Sequence, residues 1–360
     1  KVVDQVSRVV PGHYEPRHVR HFRPELERVL PNAPALELML DMVEGLSQCP
    51  RHLGLHSGGM VLSQQPLCWF SPVQTSANGV KMVQFDKEDV EALGLIKLDV
   101  LGLRMLAAIS EAAELAERHY GHPVDVDALP LDDPQVYEFI RTGRTLGLFQ
   151  IESMGQMHLV ASHQPQVFDD LVSQVALFRP GPLQGNMVHP FIRRRQGQEP
   201  VRFDHPDLAP ILRRTYGVIL FQEQILEIAH RFAGMPLQEA DDFRSLISKH
   251  RSAEDMEKMR ARFVGGAVGR GVPEPTAQRV FDQVASFVGY GFCRSHAAAF
   301  ARTVYQSAWL KLHYPDAYLA AIMQHRPGMY SLLTLEEEAR RCGLEILPPA
   351  VFPLLHEMMR

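Results

Sequence analysis

The stretch Gly94-Leu-Ile-Lys-Leu-Asp-Val-Leu-Gly102 decides how this chain is read. Two glycines bracket a run with the alternation of a β-strand. Side chains on a strand point alternately to opposite faces. Ile96, Leu98 and Val100 therefore share one face, while Lys97 and Asp99 share the other, two residues apart. A cation beside a carboxylate on an otherwise apolar strand has two readings. One is an edge strand with one solvated face. The other is a metal-binding carboxylate with a phosphate-binding lysine next to it, since charges on an apolar element call for partners.

Working outward, residues 53 to about 103 carry the period of strands. His56-Ser-Gly-Gly59 leads into Met60-Val-Leu62, and Asn78-Gly79 between apolar runs is a hairpin signal. The paired Gly58 and Gly59 permit close backbone approach to a ligand. His56 is either a phosphate contact or a satisfied core histidine. Before this region, residues 1 to 52 read as short helices with proline-rich joints, and Leu36, Met39, Leu40, Val43 and Leu46 recur at helical spacing. After it, Met105, Ile109, Ala112 and Ala116 make a helical stripe that Gly121-His-Pro123 ends. From there to about Leu347 the chain reads as mostly helical. Gly147-Leu-Phe-Gln-Ile151 interrupts as an apolar loop or strand, and Asp125-Val-Asp127 reads as a loop near two prolines.

The 360 residues suggest two or more lobes, and 46% hydrophobic content is enough for a sizeable core. A net charge of −5 excludes a chain that is basic throughout. The cations are nevertheless grouped. Between Arg179 and Arg214 seven arginines face only Glu199, Asp204 and Asp207, and between Arg244 and Arg270 seven Lys/Arg face three acids. Such stripes suit a polyanion bound on one face, or are simply solvated helix faces. The four cysteines are far apart, with no CxxC and no zinc spacing, which predicts reduced thiols in a cytoplasmic protein. No signal peptide and no long apolar run is present. The first residue is Lys1 rather than Met, so the expectation is a piece of a longer protein.

Several cations and their neighbours stand out within the helical part. Arg179-Pro-Gly-Pro182 cannot be helical and holds one arginine on a stiff turn, as a phosphate or base-pair contact or as a brace to a carboxylate. Arg193, Arg194 and Arg195 precede Gly197 as a solvated helix end or a DNA-backbone contact. Tyr216-Gly217 opens an apolar strand, Val218 to Phe221, followed by a helix from Gln222 to Phe232 whose first turn Glu223 would stabilise. Arg244, Lys249 and Arg251 are candidates to meet a triphosphate. Arg294, Ser295 and His296 open another helix, with Ser295 as its cap and His296 either a template or nucleotide contact or a packed histidine. Phe300, Val304, Ala308 and Leu312 lie on one face of it.

Lys97-Leu98-Asp99-Val100-Leu101-Gly102-Leu103-Arg104 resembles the Lys-Phe-Asp-Phe-Leu-Gly-Leu-Arg segment of bacterial C-family replicative DNA polymerases (the polymerase III alpha subunit). Five further stretches match in the family's order: His56-Ser-Gly-Gly59, Gly147 to Ser153, Ala176 to Leu183, Thr215 to Gln224 and Gly289 to Phe300. Val188 to Arg195, Asp204-His-Pro206 and Arg326 to Ser331 are similar to the error-prone, ImuC-type branch. The resemblance implies an α+β, predominantly helical fold. It would comprise a thumb remainder at 1–52, a polymerase-beta-like nucleotidyltransferase palm segment at 53–104, fingers at 105–347, and a tail at 348–360 that departs from the family.

The resemblance further implies two Mg²⁺ ions. Asp99 would be one of three metal-binding carboxylates, with Lys97 beside it. The expected substrates are primer-template DNA and dNTP. The parent protein would also meet the sliding clamp and accessory mutagenesis proteins. The family's Asp-x-Asp, which supplies the other two carboxylates, lies upstream of the matching region, so polymerase activity is not expected of this chain alone. In the family the stretch around Arg244 carries more cations than Arg244-Ser-Leu-Ile-Ser-Lys249-His250 does here. A non-catalytic DNA- or partner-binding remnant is the second reading. A zinc hydrolase is a third, raised by 17 histidines, none of which has ligand spacing.

Overall fold

A computed structural model describes residues 2–10, 16–31, 33–47, 49, 52–179, 188–247, 253–287 and 292–347. The chain divides into two compact units, Lys1–Gly102 and Leu103–Arg360.

The first unit begins with helices α1 (Val2–Val9), α2 (Arg23–Val29) and α3 (Leu36–Gly45), with a 3-10 turn at Pro16–Phe22. They bury Val19, Leu26, Leu36 and Leu40 among one another. Strand β1 (Gly59–Leu62) follows, then the hairpin of β2 (Val73–Thr75) and β3 (Lys81–Val83). Gly79 sits at the turn with φ of +80°, a conformation that glycine adopts without steric cost. Helix α4 (Lys87–Ala92) starts on a capping box in which Asp86 accepts from Asp89 N at 2.9 Å. Gly94, at φ +65°, turns the chain into β4 (Ile96–Asp99). Strand β4 runs antiparallel to β1 in the register Gly59 to Asp99, Met60 to Leu98, Val61 to Lys97 and Leu62 to Ile96.

The second unit is helical. Helix α5 (Arg104–Tyr120) buries Met105, Ile109, Ala112 and Ala116, the expected stripe, and stops at left-handed Gly121. Asp125 to Asp127 form a turn in which the Asp125 carboxylate accepts from Asp127 N. Helices α6 (Pro134–Arg141), α7 (Met154–His163), α8 (Phe168–Leu177) and α9 (Val188–Arg195) come next. Residues Gly147 to Ile151 between α6 and α7 are a turn-rich loop whose Leu148, Phe149 and Ile151 are buried. A second group follows: α10 (Ala209–Leu212), α11 (Gln222–Glu227, continued as a π-turn through Phe232), α12 (Leu237–Ile247), α13 (Ala253–Gly269) and α14 (Glu274–Ala285). It has its own core around Phe232, Phe243, Phe263 and Phe281. Helices α15 (Arg294–His313), α16 (Pro315–His325) and α17 (Leu332–Arg341) return to the first group.

Two local expectations are corrected and one is extended. Val218 to Phe221 is buried and extended, but among the described residues it joins no sheet and makes one bridge, Phe221 to Phe292. Helix α15 is not merely one-sided, because Thr303 through Ala308 are all buried, with Leu310 and Lys311. It runs through the middle of the larger core, so even its polar residues find partners. Ser307 Oγ accepts from Phe149 N at 3.2 Å, and Gln306 donates to the Val126 carbonyl at 2.9 Å. Finally, Ser295 is not the cap of α15, for a reason given by the geometry below.

Candidate functional site

Within the first unit the register of β1 and β4 sets Gly59 opposite Asp99. Lys97 donates a short hydrogen bond to Asp99 Oδ1, and His56 Nδ1 stands 3.8 Å from the same oxygen. Gly58 N donates to His56 Nδ1 at 3.2 Å, which fixes the ring. The two glycines are needed for this approach. A Cβ on Gly59 would lie 2.8 Å from His56 Nδ1 and 3.3 Å from Lys97 Cε. A Cβ on Gly58 would lie 2.7 Å from the Val100 carbonyl, next to the bond by which Val100 N extends the ladder to Gly58 O. Lys97, Asp99, His56, Gly58 and Gly59 are thus brought together at one end of a two-stranded sheet.

The electrostatics favour an ionised Asp99. The hydrogen bond from Lys97 holds its carboxyl below the usual carboxylate range, with the Lys97 charge and then His56 adding to it. The carboxylate is half exposed, so solvent reaches it. Replacing Lys97 with Ala is expected to move the Asp99 titration, followed by carboxyl NMR, up toward the ordinary value. A titration that stays put in Lys97→Ala would show that the lysine does not govern this carboxylate.

As a metal site this arrangement is partial. Mg²⁺ is bound through carboxylates, phosphate oxygens and water. Asp99 offers one such carboxylate with an unshared second oxygen. Among the described residues no group of three or more His, Cys, Asp or Glu is placed to hold a metal. The donor set fits one ligand of a shared Mg²⁺ site.

In the second unit the N-terminal ends of α11 and α15 lie side by side, joined by Gln222 N donating to the Phe292 carbonyl at 3.0 Å. Glu223 stays in the first turn of its own helix, as expected, and also caps α15. Both of its oxygens accept from Arg294 N at 3.0 Å, and Cys293 Sγ lies 3.3 Å from Oε1. This carboxylate takes the place expected of Ser295, whose Oγ instead meets Cys293 Sγ at 2.9 Å. The Arg294 guanidinium reaches Asp169 in the first turn of α8 at 2.9 Å. The Arg179 guanidinium lies 3.5 Å over the Phe292 ring, with its Nε buried and without a hydrogen-bond partner. His296 packs between Phe292 and Phe300, at 5.2 and 4.3 Å between ring centres. Arg244 reaches the same junction through Gln222, at 3.2 Å, and also bonds Asp241. The structure therefore gathers Arg179, Arg244, Arg294, Ser295 and His296 around Phe292. Lys249 and Arg251 lie outside the described residues.

The arginine run at the end of α9 is spent differently. Arg195 makes a bidentate pair with Asp170, at 2.5 and 2.7 Å, and also donates to Tyr216 Oη and to the carbonyls of His163 and Gln164. Only about an eighth of the Arg195 side chain is exposed (12%), so it acts as a brace between α7, α8 and α9. Arg194 donates to Glu199 and to the Tyr216 carbonyl, and Arg193 shares Glu199 while remaining half exposed. Tyr216 is held by this network in a left-handed conformation, its ring edge-on to Phe191.

Sequence reasoning missed Phe292 as the hub and Asp169 and Asp170 as the partners of two candidate arginines. No local signal marks either acid, since Asp169 lies 125 residues from Arg294. It also missed a buried polar chain behind Arg195. His163, fully buried (0% exposed), donates from Nδ1 to Gln174 Oε1 at 2.8 Å, and Gln174 donates onward to Gln156. Burial, and after it the Arg195 charge, push the His163 imidazole down to about 4 from 6.5. Its stabilising contribution is complete above pH 6.5 and is lost as pH falls toward 4, on the order of 3 kcal/mol in all. Urea unfolding at pH 7 and pH 4.5 checks this. The stability gap between the parent chain and His163→Leu is expected to narrow at the lower pH, and an equal gap at both would overturn it.

The bacterial DNA polymerase III alpha subunit finger domain matches residues 105–271, and the bacterial DNA polymerase III alpha NTPase domain matches residues 1–102. The chain belongs to the bacterial DNA polymerase III alpha family, the C family of DNA polymerases. Its relatives include proteins named error-prone DNA polymerase. One, from Mycobacterium tuberculosis, is 43% identical over 318 residues, covering 88% of this chain and 29% of the relative. One from Symbiobacterium thermophilum is 44% identical over 313 residues, 87% of this chain and 28% of the relative. One from Anaeromyxobacter dehalogenans is 43% identical over 322 residues, 86% and 28%. The chain thus spans less than a third of the length of these relatives. Among the described residues no helix is long and apolar enough to cross a membrane.

Proposed function

We propose that this chain is part of a DNA-templated DNA polymerase that carries out error-prone, damage-tolerance synthesis, transferring a nucleotidyl group from dNTP to a primer 3′-hydroxyl. The observation that carries the reading is the Lys97–Asp99–His56 constellation, held open by Gly58 and Gly59. Asp99 supplies one ligand to Mg²⁺, which when bound neutralises charge on the reacting phosphate and hydroxyl oxygens. Lys97 keeps Asp99 ionised and places an ammonium where a triphosphate would need one. In the second unit, Arg179, Arg244 and Arg294 around Phe292 provide cations for the triphosphate or the DNA backbone. Arg193 is the most exposed member of the Arg193–Arg195 run and serves as its contact to the DNA backbone in this reading.

The isolated chain, with one suitable carboxylate among its described residues, does not extend a primer in this reading. The partners of the whole protein would be primer-template DNA, the sliding clamp and accessory mutagenesis proteins, and its place the cytoplasm. The test is Asp99→Asn in a protein that contains this chain together with the rest of the active site. Primer extension should be lost and DNA binding kept. Loss of binding in step with extension would favour the second reading, in which this segment holds DNA or a partner without taking part in the chemistry.

A further inference from the structure

The second unit has a pocket of about 390 Å³ on the side of α14, apart from the Phe292 junction. It is lined by Arg194, Arg202, Phe203, Asp204, Gly217 and Gln283, with leucines at its base. Its volume is within the range of small-ligand sites, roughly 300–1,000 Å³. Its lining combines arginines with an aromatic ring and an amide.

Two of the lining residues are arginines. Arg194 is positioned in advance, with Nε on Glu199 at 2.9 Å and Nη1 on the Tyr216 carbonyl at 3.2 Å, and its Nη2 left over. Arg202 is exposed and, among the described residues, its side chain has no ion-pair or hydrogen-bond partner. Gly217, at φ +78°, lets the chain pass between them. A Cβ there would stand 3.1 Å from the Arg202 carbonyl and 3.3 Å from Arg194 Nη1. Two guanidinium groups with free donors, one of them already oriented, suit a phosphate.

Asp204, Gln283 and the half-buried Phe203 also line the pocket. Gln283 donates to Asp204 Oδ2 at 2.8 Å, and Arg279 approaches Oδ1 at 3.4 Å. The hydrogen bond orients the amide, and among the described residues its Oε1 has no hydrogen-bond partner. An oriented acceptor beside an aromatic ring suits the edge and face of a nucleobase.

We infer that this pocket binds a nucleoside monophosphate unit, its phosphate on Arg194 and Arg202 and its base against Phe203 and Gln283. The same chemistry is offered by a free mononucleotide and by one nucleotide of a single strand. The site draws on Arg194 and Arg202 from the arginine-rich stretch, and uses neither Asp99 nor the cations around Phe292.

The experiment is equilibrium dialysis of the 360-residue chain against thymidine 5′-monophosphate, with inorganic phosphate and thymidine as separate probes. Saturable binding of the nucleotide is expected, at least about tenfold tighter than either probe alone. Arg202→Ala should weaken it about tenfold and Gln283→Ala several-fold. Both residues are exposed, so neither variant threatens the fold. An eight-nucleotide oligothymidylate that binds more tightly than the mononucleotide, and competes with it, identifies a strand as the source. Equal affinities identify the free nucleotide. Absence of saturable binding, or nucleotide affinity unchanged in both variants, overturns the proposal.

Discussion

Asp99→Asn, in a protein that includes this chain and the remainder of the active site, is expected to lower primer extension by at least about 10²–10³-fold, as removal of a single charge-stabilising group does elsewhere. DNA affinity should change by less than about twofold, because the substitution removes no cation. The change is nearly isosteric, so the strand pairing of β4 with β1 is untouched. Its effect is electrical: a carboxylate that Lys97 keeps charged becomes a neutral amide and a poor ligand for Mg²⁺. The pair is open to solvent, so the folded state should hardly register the change. Primer extension and anisotropy measured on one preparation separate the two effects. Extension within about tenfold of the parent would remove Asp99 from the metal site.

Lys311→Ala is expected to produce the largest loss of stability, roughly 3–5 kcal/mol, which is what stranding one member of a buried ion pair costs. Lys311 has only 1% of its side chain exposed and lies in the last turn of α15. Its ammonium bonds Glu338 on α17 at 2.6 Å and the Leu146 carbonyl at 2.7 Å. It thereby ties the central helix to the loop before α7 and to the last helix described. Removing it leaves the Glu338 carboxylate enclosed, the Leu146 carbonyl without its donor, and a cavity. Replacing both partners, as Lys311→Met with Glu338→Leu, should recover most of the loss, since no charge is then buried alone. Urea midpoints of the single and double variants decide this. If the double variant is no more stable than Lys311→Ala, the cost lies in packing and not in the stranded charge.

Much of the candidate site was legible in the sequence. The alternation that sets Lys97 and Asp99 on one face is a property of any strand, and it extends only two residues. Asn78-Gly79 fixed its hairpin and Gly121 its helix end for equally local reasons, since both glycines take positive φ. The stripe on α5 follows from the helical period. A predominantly helical fold is what these rules predict, and it is what the structure has.

What the tertiary structure decided has longer reach. Arg195 reads as part of a basic run, but Asp170, 25 residues away, makes it a brace. Glu223 stands in the first turn of its own helix, as the sequence reads, and the fold adds a second role, the cap of a helix that begins 71 residues later. Val218 to Phe221 has the apolar character of a strand, yet it packs in a helical core and, among the described residues, pairs only through one bridge at Phe292. Sequence by itself determined which side chains share a face and where elements stop, because those are steric properties of a few neighbouring residues. Only the fold determined which charges are free and which are spent, because a charge pairs with whatever the packing of distant helices brings within hydrogen-bonding range.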